Sequence, residues 1–170
     1  MLTPSQSAFV TETLRVSLAA AAADVDTEHL DGLADAAAAL VPGRPLPPHP
    51  AWPEVGASVT RALVVGPDDT AAAMGHPDDA VQVLGSPRLA LWFELVTCAL
   101  LPGPTPELSH VGAGILVHHL GRADLGESVA VEATCASVSG KRAVFTCRAL
   151  VGDRLVGLGT HHRALLTTAG

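Results

Sequence analysis

The sequence predicts an α+β domain in which an antiparallel sheet wraps round one buried helix. Three observations lead to this prediction: an almost wholly apolar helical segment, two candidate strands before it, and a run of at least three candidate strands after it. The chain has 170 residues, which is enough for one domain with a substantial core but hardly enough for two.

The predicted central helix begins at Ser86-Pro87 and ends before Pro102-Gly103-Pro104. Serine can cap a helix N-terminus, proline is tolerated in the first turn, and the Pro-Gly-Pro run cannot continue a helix. Because almost every side chain between these limits is apolar, we expect the helix to be buried on most sides, although it is too short to span a membrane. Its one carboxylate, Glu94, should therefore pair, face a cavity or have a raised pKa, and it is the leading functional candidate.

The candidate strands show alternating or apolar residues between turn signals. Gly66-Pro67-Asp68-Asp69 separates the first two strands, Ser139-Gly140-Lys141 is a turn in the later run, and Gly152-Asp153 is a two-residue hairpin turn. Short turns of this kind join antiparallel neighbours. The predicted strands cover residues 57–65, 70–74, 112–120, 128–138, 142–151 and 154–166.

The N-terminal part of the chain has a different composition. Residues 3 to about 41 predict two alanine-rich helices, and residues 42–53 contain six prolines, which is typical of an extended linker. The linker is expected to tether the helical pair over the main domain; a peptide-recognition role for its prolines is the less favoured alternative. We therefore divide the chain into an N-terminal helical extension with its linker, residues 1–53, and a main domain, residues 54–170.

Charge and cysteine content exclude several classes of function. The net charge is −7 without a cluster of basic residues, which argues against nucleic acid and membrane surfaces as partners. Three cysteines without a CxxC pair predict neither a disulfide framework nor a zinc site, and we expect Cys135 and Cys147 to be small buried thiols. The alanine run near the N-terminus lacks a clear cleavage pattern, so we expect a cytoplasmic protein.

Three segments resemble fluoroacetyl-CoA thioesterases and their relatives, a family with the hotdog fold, in which an antiparallel sheet wraps round a helix. The first segment is Val83-Leu84-Gly85-Ser86 with Glu94 eight residues after the serine. The second is Gly112–His119, and the third runs from Gly126 to Leu165 with the sequence GTHHRA near its end. Together these segments cover roughly residues 57–167, and the resemblance implies that this part of the chain is a hotdog domain. The N-terminal helical extension is not part of the resemblance.

The resemblance also implies a set of site residues. The family's hydroxyl residue, helix glutamate and strand histidine fall on Ser86, Glu94 and His119, and a glycine and an arginine near the thioester fall on Gly112 and Arg163. The hydroxyl is normally a threonine, so Ser86 keeps the hydrogen-bonding group and loses the methyl that restricts its rotamer. Residues 77–81 lack the phenylalanines that shield a fluorinated acyl group, so fluoroacetyl specificity is not expected.

Each candidate also has a purely structural interpretation. Glu94 could form an ion pair with an arginine, Ser86 could only cap the helix, and Arg163 could belong to a structural ion pair. A shift of one residue in strand register would exchange His119 for His118.

The pairs His118-His119 and His161-His162 also raise the question of a metal site. No carboxylate or cysteine spacing supports one, so no metal is expected.

The function that the resemblance implies is hydrolysis of a small or medium acyl-CoA thioester, with coenzyme A as part of the substrate and not as a bound cofactor. Glu94 could attack the thioester directly or activate water. The resemblance further implies a homodimer, because hotdog sheets usually pair edge to edge. Two alternatives stay open: a non-catalytic acyl-CoA-binding protein, and a hydratase or dehydratase using His76 with Glu94.

Overall fold

The computed structural model describes residues 47–78, 81–105 and 108–167, which form one antiparallel sheet with one α-helix against it. The predicted α+β architecture is confirmed. Among the described residues, no helix has the length and apolar character needed to cross a membrane. The elements in chain order are β1 Ser58–Val64, α1 Ser86–Cys98, β2 Leu108–His119, β3 Ser128–Ser139, β4 Arg142–Val151 and β5 Arg154–Thr167, and the sheet order is β1-β3-β4-β5-β2.

The β3-β4-β5 meander forms the middle of the sheet, as the turn signals predict. Gly140 and Gly152 have φ angles of 53° and 57°, in the left-handed region that glycine adopts without steric cost. The edge positions fall to β1 and β2, and β2 pairs with β5 along its whole length. Residues on one face of β2 and β5 therefore lie next to each other, which brings distant parts of the sequence into one site.

Helix α1 packs closely on β5 because glycines face it. A Cβ atom at Gly157 would lie 2.6 Å from Cδ2 of Leu89, and one at Gly159 would lie 2.9 Å from Cε2 of Phe93. Both helix residues are fully buried, and their spacing of four residues matches alternate residues of the strand. Larger side chains at these glycines would push the helix away from the sheet and destabilise the core.

The expectation that α1 is buried on most sides is wrong for the single chain. Leu91 and Leu95 are 40% and 55% exposed, and the helix ends at Cys98, three residues before the predicted limit. The helix covers the sheet with one face, while an apolar face points away from it. The apolar composition of the helix predicts burial on most sides, but the single chain buries only the face that packs on the sheet.

The predicted strand over residues 70–74 is also wrong. Thr70 makes only an isolated bridge with Leu84, and the following residues form a turn. The Thr70 hydroxyl donates to the carbonyl of Pro67 at 3.0 Å and accepts from the Ala73 amide at 3.2 Å. These local hydrogen bonds offer the backbone an alternative to strand pairing. Strand β2, in contrast, begins at Leu108, four residues before the predicted start.

The predicted helical pair lies outside the described residues, and the division at residue 53 stays a prediction. The described end of the linker packs on the domain. Trp52 is buried beside Phe145 and Leu165, and its indole N–H donates to the carbonyl of Gly140 at 3.1 Å. The predicted buried thiols are confirmed: Cys135 and Cys147 are buried and free, and burial raises their pKa values to about 11 and about 12.

Candidate active site

Ser86 lies at the start of α1 and contacts a histidine rather than capping the helix. Gly85 occupies the cap position, and Ser86 is the first helical residue. Its Oγ lies 2.9 Å from Nδ1 of His119, the last residue of β2. The capping interpretation of this serine is therefore wrong, and the first turn of the helix is connected to the edge strand by a side-chain hydrogen bond.

The His119 ring is neutral near pH 7. Partial burial lowers its pKa, and a hydrogen bond to the backbone of Gly121 opposes this effect. A neutral imidazole has only one N–H. If that proton is donated to the Gly121 carbonyl, Nδ1 is free to accept a hydrogen bond from the Ser86 hydroxyl. The Ser86–His119 pair then resembles a hydroxyl activated by a neutral base and not a charged acid.

The strand register separates the two adjacent histidines of β2. His119 is opposite Gly157, whose position faces α1, whereas His118 is opposite Leu158. Adjacent residues of a strand point to opposite faces, so His118 points away from the helix. Its Nε2 atom is buried and has no hydrogen-bond partner among the described residues.

Glu94 lies two turns along α1 from Ser86 and pairs with Arg163 of β5. Its Oε1 is 3.6 Å from Nη1 of Arg163, and the two side chains are 44% and 3% exposed. The carboxylate thus reaches solvent while the guanidinium is buried. Burying the Arg163 guanidinium costs free energy of desolvation, and the negative charge of Glu94 offsets part of that cost. The expectation that Glu94 reaches a partner is met, in the form of an arginine ion pair.

Arg163 keeps hydrogen-bonding capacity on the side of Glu94. Its Nη2 lies 2.8 Å from Nδ1 of His110, so the guanidinium donates to that ring. Its Nε and Nη1 are buried and make no hydrogen bond to the described residues. These donors could bind a carbonyl or phosphate oxygen. The sequence reasoning missed His110, although it lies two residues before Gly112 on the strand that pairs with Arg163.

Gly112 lies at an irregularity of β2, directly beneath Glu94. It is opposite Arg163, and the register shifts between Gly112 and Gly114, which is the mark of a β-bulge. A Cβ atom here would lie 3.3 Å from Oε1 of Glu94 and 3.3 Å from Nε2 of His161. The missing side chain therefore leaves open the space that the carboxylate and the imidazole share.

His161 is the second functional candidate that the sequence did not single out, except as a possible metal ligand. It is fully buried, and its Nδ1 lies 2.6 Å from Oγ1 of Thr97 on α1. Burial, then the charge of Arg163, then His162, lower its pKa to about 4. A signal was present: His161 shares a strand face with Arg163, and Thr97 is the one hydroxyl residue of α1 after Ser86. Among the described residues, no group of three His, Cys, Asp or Glu could hold a metal.

The predicted residues thus form two separate clusters within the chain. Ser86 meets His119 at one end of α1, and Glu94 meets Gly112 and Arg163 farther along it. Eight helical residues correspond to about 12 Å along the axis. The seven residues from Gly112 to His119 span about 20 Å of strand. One chain therefore does not bring all three predicted catalytic residues to one point.

Solved structures with the same architecture support the hotdog fold. The hot-dog-like protein from Thermanaerovibrio acidaminovorans is 22% identical with a TM-score of 0.62, and the match covers 69% of this chain and 86% of that one. A thioesterase superfamily member from Thermus thermophilus is 21% identical with a TM-score of 0.59, over 68% and 85% of the two chains. These neighbours confirm the predicted hotdog fold.

Other similar structures are those of one enzyme. A phenylalanine-to-alanine variant of the fluoroacetyl-CoA-specific thioesterase FlK, in complex with fluoroacetate and CoA, is 28% identical with a TM-score of 0.60. The match covers 68% of this chain and 96% of that chain. No curated protein matches the sequence. The family model of the fluoroacetyl-CoA-specific thioesterase FlK matches residues 65–169, well over half of the sequence, and the chain therefore belongs to the FlK thioesterase family.

Proposed function

We propose that this protein hydrolyses the thioester of a small or medium acyl-CoA to the free acid and CoA. The observation that carries the proposal is the position of the Glu94 carboxylate over Gly112, beside the buried donors of Arg163, in a member of a thioesterase family. Coenzyme A is part of the substrate in this proposal. The cytoplasmic location expected from the sequence belongs to the same proposal.

The chemistry needs a nucleophile, stabilisation of the tetrahedral oxyanion and a proton for the leaving thiolate. Glu94 is the group in this cluster that is able to take a proton from water or to attack the carbonyl carbon. Nε and Nη1 of Arg163 make no hydrogen bond to the described residues, and they are suited to bind an oxygen of the substrate because they are buried where electrostatic interactions are strong. Ser86 and His119 provide a second hydrogen-bonding centre that is neutral and more exposed.

A homodimer is part of the proposal, because the two clusters are too far apart to act on one acyl group in a single chain. The exposed Leu91 and Leu95 of α1, and Val111 and Ile115 of the edge strand β2, provide apolar surface for a second copy. Pairing of two chains across this surface is proposed to bring Ser86 and His119 of one copy towards Glu94 of the other.

The substitution Leu95→Glu tests the dimer. It places a charge on the proposed contact surface, so we expect a monomer by light scattering and at least about a tenfold loss of kcat/KM. Val55→Glu is the matched control, because Val55 is 61% exposed and lies before β1. A Leu95→Glu protein that is monomeric with full activity would remove the partner chain from the site.

We propose that the enzyme accepts a wider range of acyl groups than fluoroacetyl. One FlK structure contains fluoroacetate and CoA, and that of a threonine-to-serine variant of FlK contains acetyl-CoA. This chain has Ser86 where the family has threonine, and residues 77–81 contain no aromatic side chain. We therefore expect comparable kcat/KM values for acetyl-CoA and fluoroacetyl-CoA.

The first experiment measures free-thiol release from a panel of acyl-CoA thioesters by the wild type and by Glu94→Gln. Glutamine keeps the shape of the side chain and removes its charge, so we expect kcat to fall by about 1,000-fold with the fold retained. Unchanged turnover would take Glu94 out of the mechanism. Absence of turnover by the wild type on every thioester would overturn the hydrolase proposal.

A non-catalytic acyl-CoA-binding protein is the second candidate. The Glu94–Arg163 ion pair favours it, because the same geometry is expected of a purely structural pair. Tight binding of acyl-CoA without thiol release would establish this function. A hydratase has less support: His76 lies in an exposed turn, where its Nδ1 accepts a hydrogen bond from the Asp78 amide at 3.1 Å.

A further inference from the structure

Thr97, His161 and Glu94 lie close together where the second half of α1 packs on the sheet. Thr97 Oγ1 contacts Nδ1 of His161 at 2.6 Å, and Nε2 of the same ring reaches the space above Gly112. Oε1 of Glu94 and Nε2 of His161 both lie 3.3 Å from the position that a Cβ atom of Gly112 would take. Thr97 and His161 are both fully buried, so their hydrogen bonds are shielded from solvent.

The direction of each hydrogen bond follows from the Thr97 hydroxyl. Its Oγ1 lies 2.8 Å from the carbonyl oxygen of Glu94 and 3.0 Å from that of Phe93. A threonine inside a helix commonly donates its one proton to such a carbonyl. Its oxygen then accepts from His161, and the proton of that ring is on Nδ1.

His161 consequently presents a bare Nε2 to the space above Gly112. Its lowered pKa, about 4, keeps the ring neutral near pH 7. Glu94 and His161 are then two acceptors that face the space beside Gly112, since Oε1 and Nε2 each lie 3.3 Å from the position that a Cβ atom of Gly112 would take. Two acceptors do not bond to each other, but a molecule with two O–H donors satisfies both.

We propose that Glu94 and His161 together hold the attacking water above Gly112, and that Thr97 is a positioning residue which acts through His161. This inference rests on the proposed hydrolase function and deepens it, since it assigns Glu94 the role of general base. His161 contacts the water and is a catalytic residue in that sense, although it takes no proton from the water: its Nε2 only accepts a hydrogen bond, and its own proton stays on Nδ1.

Water donates one hydrogen bond to Glu94 and one to Nε2 of His161, which leaves its lone pair directed at the acyl carbon. As the carbon–oxygen bond forms, the first proton passes to Glu94. The carbon–sulfur bond then breaks, the thiolate takes the proton from Glu94, and the new carboxylic acid ionises. The products are a carboxylate, CoA thiol and one proton.

The decisive comparison is His161→Asn against His161→Gln. The asparagine amide lies near the position of Nδ1 and can donate to Thr97, but it leaves no acceptor at the position of Nε2. Glutamine reaches that position with an oxygen acceptor. We expect His161→Asn to lower kcat by about 100-fold with little change in KM, and His161→Gln to recover about tenfold of that loss.

A double variant separates a shared role from a structural one. If both residues hold the same water, His161→Asn adds less than about a twofold loss to Glu94→Gln, because effects on one catalytic unit are not additive. His162→Asn is the matched control, since its side chain is also buried but lies on the opposite face of β5. It should lower stability and leave kcat within about twofold of the wild type. Additive losses, or equal kcat in the asparagine and glutamine variants, would overturn the inference.

The protonation of His161 gives a readout that does not depend on activity or on a variant. Nitrogen-15 NMR of the full wild-type chain should show the proton of His161 on Nδ1 and a bare Nε2. A proton on Nε2 in an active enzyme would overturn this inference alone. If the wild type hydrolyses no acyl-CoA, the proposed function and the water assignment fail together.

Discussion

The two ends of helix α1 carry polar groups of different kinds. At its start, the Ser86 hydroxyl and the His119 ring form a neutral pair near the surface. Farther along, Glu94 lies among a buried guanidinium and a buried imidazole. Charge development in a transition state is stabilised best where water is excluded and donors are already in place. We therefore place the proposed bond-making step at the Glu94 end of the helix, with Ser86 and His119 in support.

The difference between the Ser86 end and the Glu94 end of α1 is tested most strongly by a substitution at Gly112. Gly112→Ala inserts a methyl group 3.3 Å from both Glu94 Oε1 and His161 Nε2, so it disturbs the space between them. We expect kcat to fall by about 100-fold and the melting temperature to change little. Gly103→Ala is the control, because its Cβ would meet no atom within 4 Å. Equal kcat values for the two alanine variants would show that this space has no catalytic role.

The buried histidines near the Glu94 end of α1 should also dominate the pH dependence of the free energy of unfolding. His161 has a folded-state pKa of about 4 against an ordinary value of 6.5, so the unfolded chain binds its proton first as the pH falls. Stability is then complete above pH 6.5 and is lost between pH 6.5 and 4. From pH 7 to pH 5 the loss from this ring is about 2 kcal/mol.

Urea unfolding at the two pH values measures this loss. Because the pKa of His162 is also lowered to about 4, both buried histidines contribute, and His161→Gln should remove about half of the slope. His119→Gln should remove less, since its ring is only partly buried. An unchanged slope in His161→Gln would show that this ring is not buried in its neutral form.

The smallest effects are expected at Ser86. Ser86→Ala removes one hydrogen bond to His119, which corresponds to about a tenfold loss of kcat. Ser86→Thr keeps the hydroxyl and adds a methyl that restricts the rotamer, so kcat should rise by about twofold at most. Both are measured by thiol release. A loss in Ser86→Ala as large as that in Glu94→Gln would reverse the order of importance of the two ends.

Local sequence patterns correctly predicted turns and strands whose conformation depends mainly on neighbouring residues. The turns at Gly140 and Gly152 need left-handed backbone conformations, and the strands between them follow the alternation of side chains. The pattern failed at residues 70–74, where the Thr70 hydroxyl bonds to its own turn and competes with strand pairing.

The sequence by itself determined the α+β class, the single helix against a meander of strands, and Glu94 as a carboxylate that needs a partner. Apolar periodicity, turn residues and the cost of burying a charge are properties of short segments, and they can be read without coordinates. Only the tertiary structure decided which groups meet. The pairing of β2 with β5 brings Gly112 opposite Arg163, and the packing of α1 on β5 joins Thr97 to His161, 64 residues later. Contacts over such separations depend on strand register and helix position, which no local pattern encodes.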